Sequence, residues 1–397
     1  MRVSTYGSFL NGLHAMQRLQ EALDFSQRQI SSGRRIQNPS DDPIGSARSI
    51  EIGEALSRLQ QFDRNGTIAT NRLQQEEVAL QASNNVLQRV RELALQANNA
   101  TQSDETRRLI AVEMREQLDN LLQIANQQDG GGSYLFSGNL EDTQPVSRMG
   151  SSFSYNGDQG QRQIQIGEGR QIADGDSGSR VFFQIRTGNG AFSVMPAAGN
   201  TGSGVIGASS VTDPTLYDQD QYTVRFIDPG NYEVLDSGGG VVAISSFAPG
   251  DNIAFRGIEL TINNQPNAGD EFIVPPSGMQ DVFTTLNGLV TAIERPVFDD
   301  ASRAAMSNGI NASLLNVDQA IGNVLDVRTQ VGSRLAALES QADNNSAFAL
   351  TLQSTLADIQ DLDYAEAISR LSAEATTLEA AQQSFIRTQQ LSLFNYF

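Results

Sequence analysis

The chain has 397 residues, a formal net charge of −19 and a pI near 4.4. That balance argues against a nucleic-acid partner and against docking on an anionic membrane, since both need clustered Lys and Arg. There is no cysteine and one histidine, His14, so zinc-finger, iron–sulfur, disulfide and thiol-nucleophile chemistries lack their ligands. No run of about 18 apolar residues is present to cross a bilayer. The stretch "MRVSTYGSFLNGLHAMQRLQ" has neither an unbroken apolar core nor a small-residue cleavage site. Any export is therefore expected to use a route that reads no cleaved signal peptide.

Residues 1–35 read as an amphipathic helix carrying Leu13, Met16, Leu23 and Ile30. "SSGRRIQNPSDDPIGSARSI" (31–50) follows and supports two readings. One is a carboxylate pair, Asp41 and Asp42, with Arg34 and Arg35 as anion binders. The other is punctuation: Gly33 stops one helix, Asn38-Pro39 turns the chain, and Asp42 caps the next helix with Pro43 at its first position. No histidine or nucleophile accompanies the acids, and we read the stretch as punctuation. Two further helical stripes come next, Leu73, Leu80, Leu87, Val90 and Leu93, then Leu109, Val112, Leu118, Leu121, Leu122 and Ala125. "ANNATQSDE" (97–105) is the turn between them.

Composition then changes. Of the 35 glycines, 25 lie between residues 130 and 280, with short β-rich runs among them. "RVFFQI", "YTVRFID", "NYEVLDSGGGVVAIS" and "GIELTI" are expected as strands. "GEGRQIADG" has glycines near a phosphate-loop spacing but lacks the strand-then-helix setting and the Lys-Ser/Thr pair.

Beyond residue 300 the clearest period in the chain begins. Ile310, Leu314, Val317, Ile321, Val324, Arg328, Val331, Leu335, Leu338, Ala342, Asn345, Ala349, Leu352, Leu356 and Ile359 follow alternating steps of four and three, a coiled-coil seam. Arg328 and Asn345 are its polar positions. They either set register or reach solvent at the seam edge. A second seam is expected through Tyr364, Ile368, Leu371, Ala375, Leu378 and Phe385. The fold class is mainly α with an inserted β domain, the two arms forming a long antiparallel helical bundle. Three domains are expected: 1–35 with 360–397, 36–135 with 281–359, and the insert 136–280. The terminal helices carry too little apolar surface to order alone, so their folding is expected to be coupled to assembly.

"SSGRRIQNPSDDPIGSARS", "VLQRVRELALQANNATQSDETR" and "DLDYAEAISRLSAEATTLEAAQQSFIRTQQLSLFNYF" together resemble the arms of the bacterial flagellin family, over about half the chain. "GGGSYLFSGN" and "FRGIELTINNQPNAGDEFIVPP" are similar to segments of its hook-associated branch, and "LSLFNYF" departs from the usual flagellin ending. The resemblance implies a non-enzymatic structural subunit exported through the flagellar type III route. No cofactor, metal or catalytic residue is implied. Implied partners are the hook-side junction protein (hook-associated protein 1), flagellin, further copies in a short ring, and an export chaperone on the C-terminal helix. Leu13, Met16, Leu23, Ile30, Ile368, Leu371, Leu378 and Phe385 are the implied assembly interface. "QRVREL" also resembles a flagellin helix seen by an innate immune receptor, although a charged outer face accounts for it equally. Two alternatives stand: a filament flagellin, and an extracellular adhesin with a β head on a coiled-coil stalk. A metallopeptidase lacks its histidines, while carboxylate-only glycosidase chemistry stays formally open.

Overall fold

In the computed structural model, residues 5–390 are described, and they fall into two units, residues 5–64 with 341–390, and residues 65–340. Two helices run through both. α1 is Thr5–Ser32, α2 Pro43–Ala97, α3 Asp104–Ala125, α4 Val282–Ile293, α5 Asp300–Gln360 and α6 Tyr364–Gln390. None is long and apolar enough to cross a membrane.

The unit 65–340 is built on α2, α3, α4 and α5. Side-chain caps start α3 and α4: Ser103 Oγ accepts from the Thr106 N–H, and Asp281 Oδ1 from the Thr284 N–H at 2.6 Å. Their apolar faces make one core. Leu73, Leu80, Leu87 and Val90 of α2, Met114, Leu118 and Leu121 of α3, Phe283 and Leu289 of α4, and Ile310, Val317, Val324 and Val331 of α5 are all buried. The seven-residue step of α5 thus sets its inward line, with Leu314, Ile321 and Leu335 half-buried beside it. On α3 the inward line differs from the expected stripe. Ile110, Ala111, Met114, Leu118, Leu121 and Ala125 face the core, while Leu109 and Val112 are exposed. The 3.6-residue period selects the former set, and buried Arg107, bonded to the Gln102 carbonyl at 2.8 Å and to Asp104, pins the start of that face.

Between α3 and α4 the chain forms short antiparallel strands: β1 (Val146–Met149), β2 (Ser152–Tyr155), β3 (Gln163–Gly167), β4 (Arg170–Ala173), β5 (Ile185–Arg186), β6 (Met195–Pro196) and β7 (Val205–Val211). β8 (Tyr222–Asp228), β9 (Asn231–Leu235), β10 (Val241–Ser246), β11 (Asn252–Phe255), β12 (Ile258–Asn263), β13 (Glu271–Val274) and β14 (Met279–Gln280) follow. β1–β2, β3–β4 and β5–β14 are two-stranded, and β10-β9-β8-β13-β6 and β11-β12-β7 are the larger sheets. The two larger sheets enclose a second core around Phe226, whose ring lies 4.9 Å from Phe247 and 6.0 Å from Phe272. The expected strand over "RVFFQI" is instead largely a π-helical turn, Ser179–Phe183, followed by the two-residue β5. A strand would send Phe182 and Phe183 to opposite faces. The turn lets both meet Phe283, at 5.8 Å each, while Phe182 also packs on Phe136.

Asparagines on α5 tie this insert down. Asn308 Oδ1 accepts from the Ile206 N–H at 2.7 Å and its Nδ2 donates to the Gly204 carbonyl at 2.9 Å. Asn311 donates to the Ile206 carbonyl, Asn316 accepts from the Gly188 N–H, and Asn323 donates to the carbonyls of Arg180 and Val181. These amides satisfy strand-edge and turn backbone that the sheets leave unpaired.

Candidate assembly interface

The turn at residues 33–45 is closed by backbone and side-chain bonds. Gly33 has φ of 71°, and its N–H donates to the Gln29 carbonyl at 2.9 Å, ending α1. Its carbonyl accepts from the Leu362 N–H at 3.0 Å, Arg35 N–H donates to the Gln360 carbonyl at 2.7 Å, and Arg34 bridges Asp361. The α1–α2 and α5–α6 turns therefore form one short ladder. Asp41 Oδ2 accepts from the N–H groups of Gln37 and Asn38, and Asp42 Oδ1 accepts from the Gly45 N–H at 2.9 Å, with Pro43 in the first helical position. Arg35 reaches Asp42 Oδ2 at 3.2 Å and the Ile359 carbonyl at 2.9 Å. Both carboxylates and Arg35 are spent on the turn.

The Gly45 N–H, with Arg35 secondary, holds the Asp42 carboxyl below its ordinary value of 3.8. Its contribution to stability is present above 3.8 and is lost as pH falls through the lower folded value. A Cβ on Gly33 would sit 2.9 Å from Tyr364 Oη, in a backbone region that L-residues avoid. Gly33→Ala should cost about 1–2 kcal/mol locally. Tryptic cleavage after Arg34 or Arg35 should then be roughly tenfold faster than in the wild type, given about tenfold per 1.4 kcal/mol.

α6 packs antiparallel on α1. Phe385 lies with its ring 5.4 Å from Phe9, over Gly12, where a Cβ would meet it at 2.9 Å. Along α6 the inward line is Ala367, Leu371, Glu374, Leu378, Ala381 and Phe385. Leu371, Leu378 and Phe385 thus share one face, whereas Tyr364, Ile368 and Ala375 are exposed, one residue out of step with the expected seam. Asp363 caps α6, its Oδ1 accepting from the N–H groups of Ala365 and Glu366. On α1, Leu13, Met16, Leu23 and Ile30 are half-buried, and the two most buried side chains are polar, Ser26 and Gln29. The Oε2 of Glu374 and Oε1 of Gln29 are buried without a hydrogen-bond partner among the described residues. Sequence reasoning missed Gly12, Ser26, Gln29 and Glu374, because a search for apolar periodicity passes over small and polar seam positions.

In this unit, Ile44, Ile50, Phe348, Leu350, Ile368 and Ile386 stand exposed. Asn345 is buried and accepts from Gln341 Nε2 at 2.8 Å. In the other unit, Arg328 binds Glu77 through Nε at 3.0 Å and Nη2 at 2.5 Å. The aromatic ending, residues 391–397, lies outside the described residues.

The arrangement defines a flagellin-type subunit, with α1 and α6 paired and a β region inserted in the sequence between them. The family models agree: the bacterial flagellin N-terminal helical region matches residues 3–141 and the C-terminal helical region residues 314–397. Flagellar hook-associated protein 3 of Escherichia coli (strain K12) is 24% identical over 99% of both chains. The crystal structure of flagellar hook-associated protein-3 from Legionella pneumophila is 32% identical, with a TM-score of 0.75 over 78% of this chain and 98% of that one. Phase 1 flagellin of Salmonella naestved, 33% identical, matches only 34% of this chain. The chain belongs to the flagellar hook-associated protein 3 family.

Proposed function

We propose that the chain works as a structural adaptor of the bacterial flagellum, joining the hook-side junction protein to the first flagellin subunits as a short ring of identical copies. Carrying the reading is the helical unit made from both chain ends, which leaves large apolar side chains exposed and buries polar groups in its own seam. A surface of that kind gains stability from neighbours. A ring whose two faces meet different partners needs heterologous contacts rather than a two-fold patch. Residues 1–35 with 360–397 would line the inside of the assembly, 36–135 with 281–359 the surrounding bundle, and 136–280 the outside. Leu13, Met16, Leu23 and Ile30 on α1, with Leu371, Leu378, Phe385 and exposed Ile368 on α6, would carry the inner contacts. Before export, the Leu371–Leu378–Phe385 face would be covered by a chaperone groove. Arg328 and Asn345 would fix helix register. The role requires no catalysis, and the chain would act outside the cell.

Antibody against residues 136–280, applied to intact isolated flagella and located by immunogold, should label one narrow band where hook meets filament. Label along the whole filament would make the chain a flagellin. Absence of label from every flagellum would favour the adhesin.

A further inference from the structure

A buried charge cluster lies inside the unit 65–340, where the chain returns from β4 to the helices. Arg72 of α2 contacts Asp129 at 3.1 Å, Glu141 at 3.7 Å and Asp174 at 3.8 Å. Arg162 pairs with Asp174 and with Glu141. Asp176, its carboxylate fully buried, is held by Arg180 at 3.1 Å and by Arg334 of α5 at 2.8 Å. With Glu76, the cluster holds five carboxylates and four guanidinium groups. Four of the five have an arginine within 4.0 Å, and Glu76 has none among the described residues.

Glu76 occupies the α2 seam, one heptad before Ser83 and two before Val90, and is 1% exposed. Its Oε1 accepts from the Asp176 N–H at 3.1 Å, and its Oε2 has no partner. A charged carboxylate there would be buried, unpaired and directly against Asp176. A carboxylic acid avoids both penalties.

We propose that Glu76 is the protonated member of this cluster at neutral pH, and that its neutrality lets segment 174–181, the root of the β insert, stay seated on α2 through the Asp176 N–H bond to Glu76 Oε1 and on α5 through the Asp176–Arg334 pair. The latch loosens as pH rises. Glu77, the adjacent acid on α2, is occupied by Arg328 and does not compete for the cluster. Burial first, then the Asp176 charge, pushes the Glu76 carboxyl well above its ordinary value of 4.5, against the pull of Arg334, the Asp176 N–H and Arg72. A raised folded-state value gives stability that is complete below 4.5 and declines as pH climbs through the folded value.

Infrared spectra of the full chain at neutral pH should contain the carbonyl band of one protonated carboxyl, absent from Glu76→Gln and lost on alkaline titration of the wild type. No such band in the wild type would overturn the proposal, whether or not the variant folds. Hydrogen exchange gives the functional half. Wild-type protection of amides 174–181, corrected for intrinsic base catalysis, should fall about tenfold per pH unit within the window. Glu76→Gln, which mimics the protonated form, should stay flat. Parallel profiles for the two proteins would overturn the latch.

Discussion

A chain ending at Leu362 should keep residues 65–340 folded and fail to build a junction. The truncation removes Asp363, the α6 cap, and all of α6. α1 then loses Phe385 from Gly12 and the face presented by Ala367, Leu371 and Leu378. What α1 retains is a 28-residue helix whose most buried positions are Ser26 and Gln29. A helix so poor in apolar contacts is marginal alone, since most helical stability in proteins comes from packing an apolar face. Losing α6 would also remove the proposed chaperone face, so loss of motility in cells would confound export with assembly. The decisive measurement adds purified protein to hook–basal bodies that lack it, then supplies flagellin. The full chain should support filament growth and the truncated chain should not, with far-ultraviolet circular dichroism showing that the truncated chain retains the helical content of α2 to α5. Filament growth on the truncated chain would reduce α6 to an export element.

How much of this was legible in the sequence depends on what each element packs against. The α5 seam was readable because Ile310, Val317, Val324 and Val331 repeat every seven residues, and buried apolar side chains are what that period records. The punctuation at 31–50 was equally readable, because Gly33, Asp42 and Pro43 act through local backbone chemistry that needs no distant partner. Phase was harder. Ala367 and Ile368 are adjacent and both apolar, and it is packing against α1 that turns the smaller one inward. Residues 179–183 misled for another reason. Val181, Phe182 and Phe183 have strong strand propensity, but the demand of the Phe283 pocket for both rings overrides it. Glu76 was invisible because its meaning comes from Asp176 and Arg334, 100 and 258 positions away along the chain.

The α5 asparagines belong with Glu76, polar residues whose role exists only once the strands arrive. Replacing Asn308 by Leu, which has the same branched shape without the polar atoms, should destabilise the insert more than any other single change to this asparagine set. Asn308 is 2% exposed and serves the Ile206 N–H of β7 and the Gly204 carbonyl just before it. Leucine leaves the Ile206 N–H and the Gly204 carbonyl buried and unmatched, at about 1–3 kcal/mol each, or about 2–6 kcal/mol together. Asn311→Leu removes one bond to the Ile206 carbonyl from a half-buried side chain and should cost about 0.5–1.5 kcal/mol. Hydrogen exchange separates the local from the global effect. Amides of β7 and its neighbour β12 should lose protection by roughly a hundredfold or more in Asn308→Leu, at tenfold per 1.4 kcal/mol, while those of α5 around Val317 and Val324 hold. Asn308→Asp retains the acceptor but loses the amide donor and brings a charge into the site, so it should rank beside leucine. If either variant leaves β7 as protected as the wild type, the insert is held by its apolar contacts alone, and the asparagines merely occupy the space between sheet and helix.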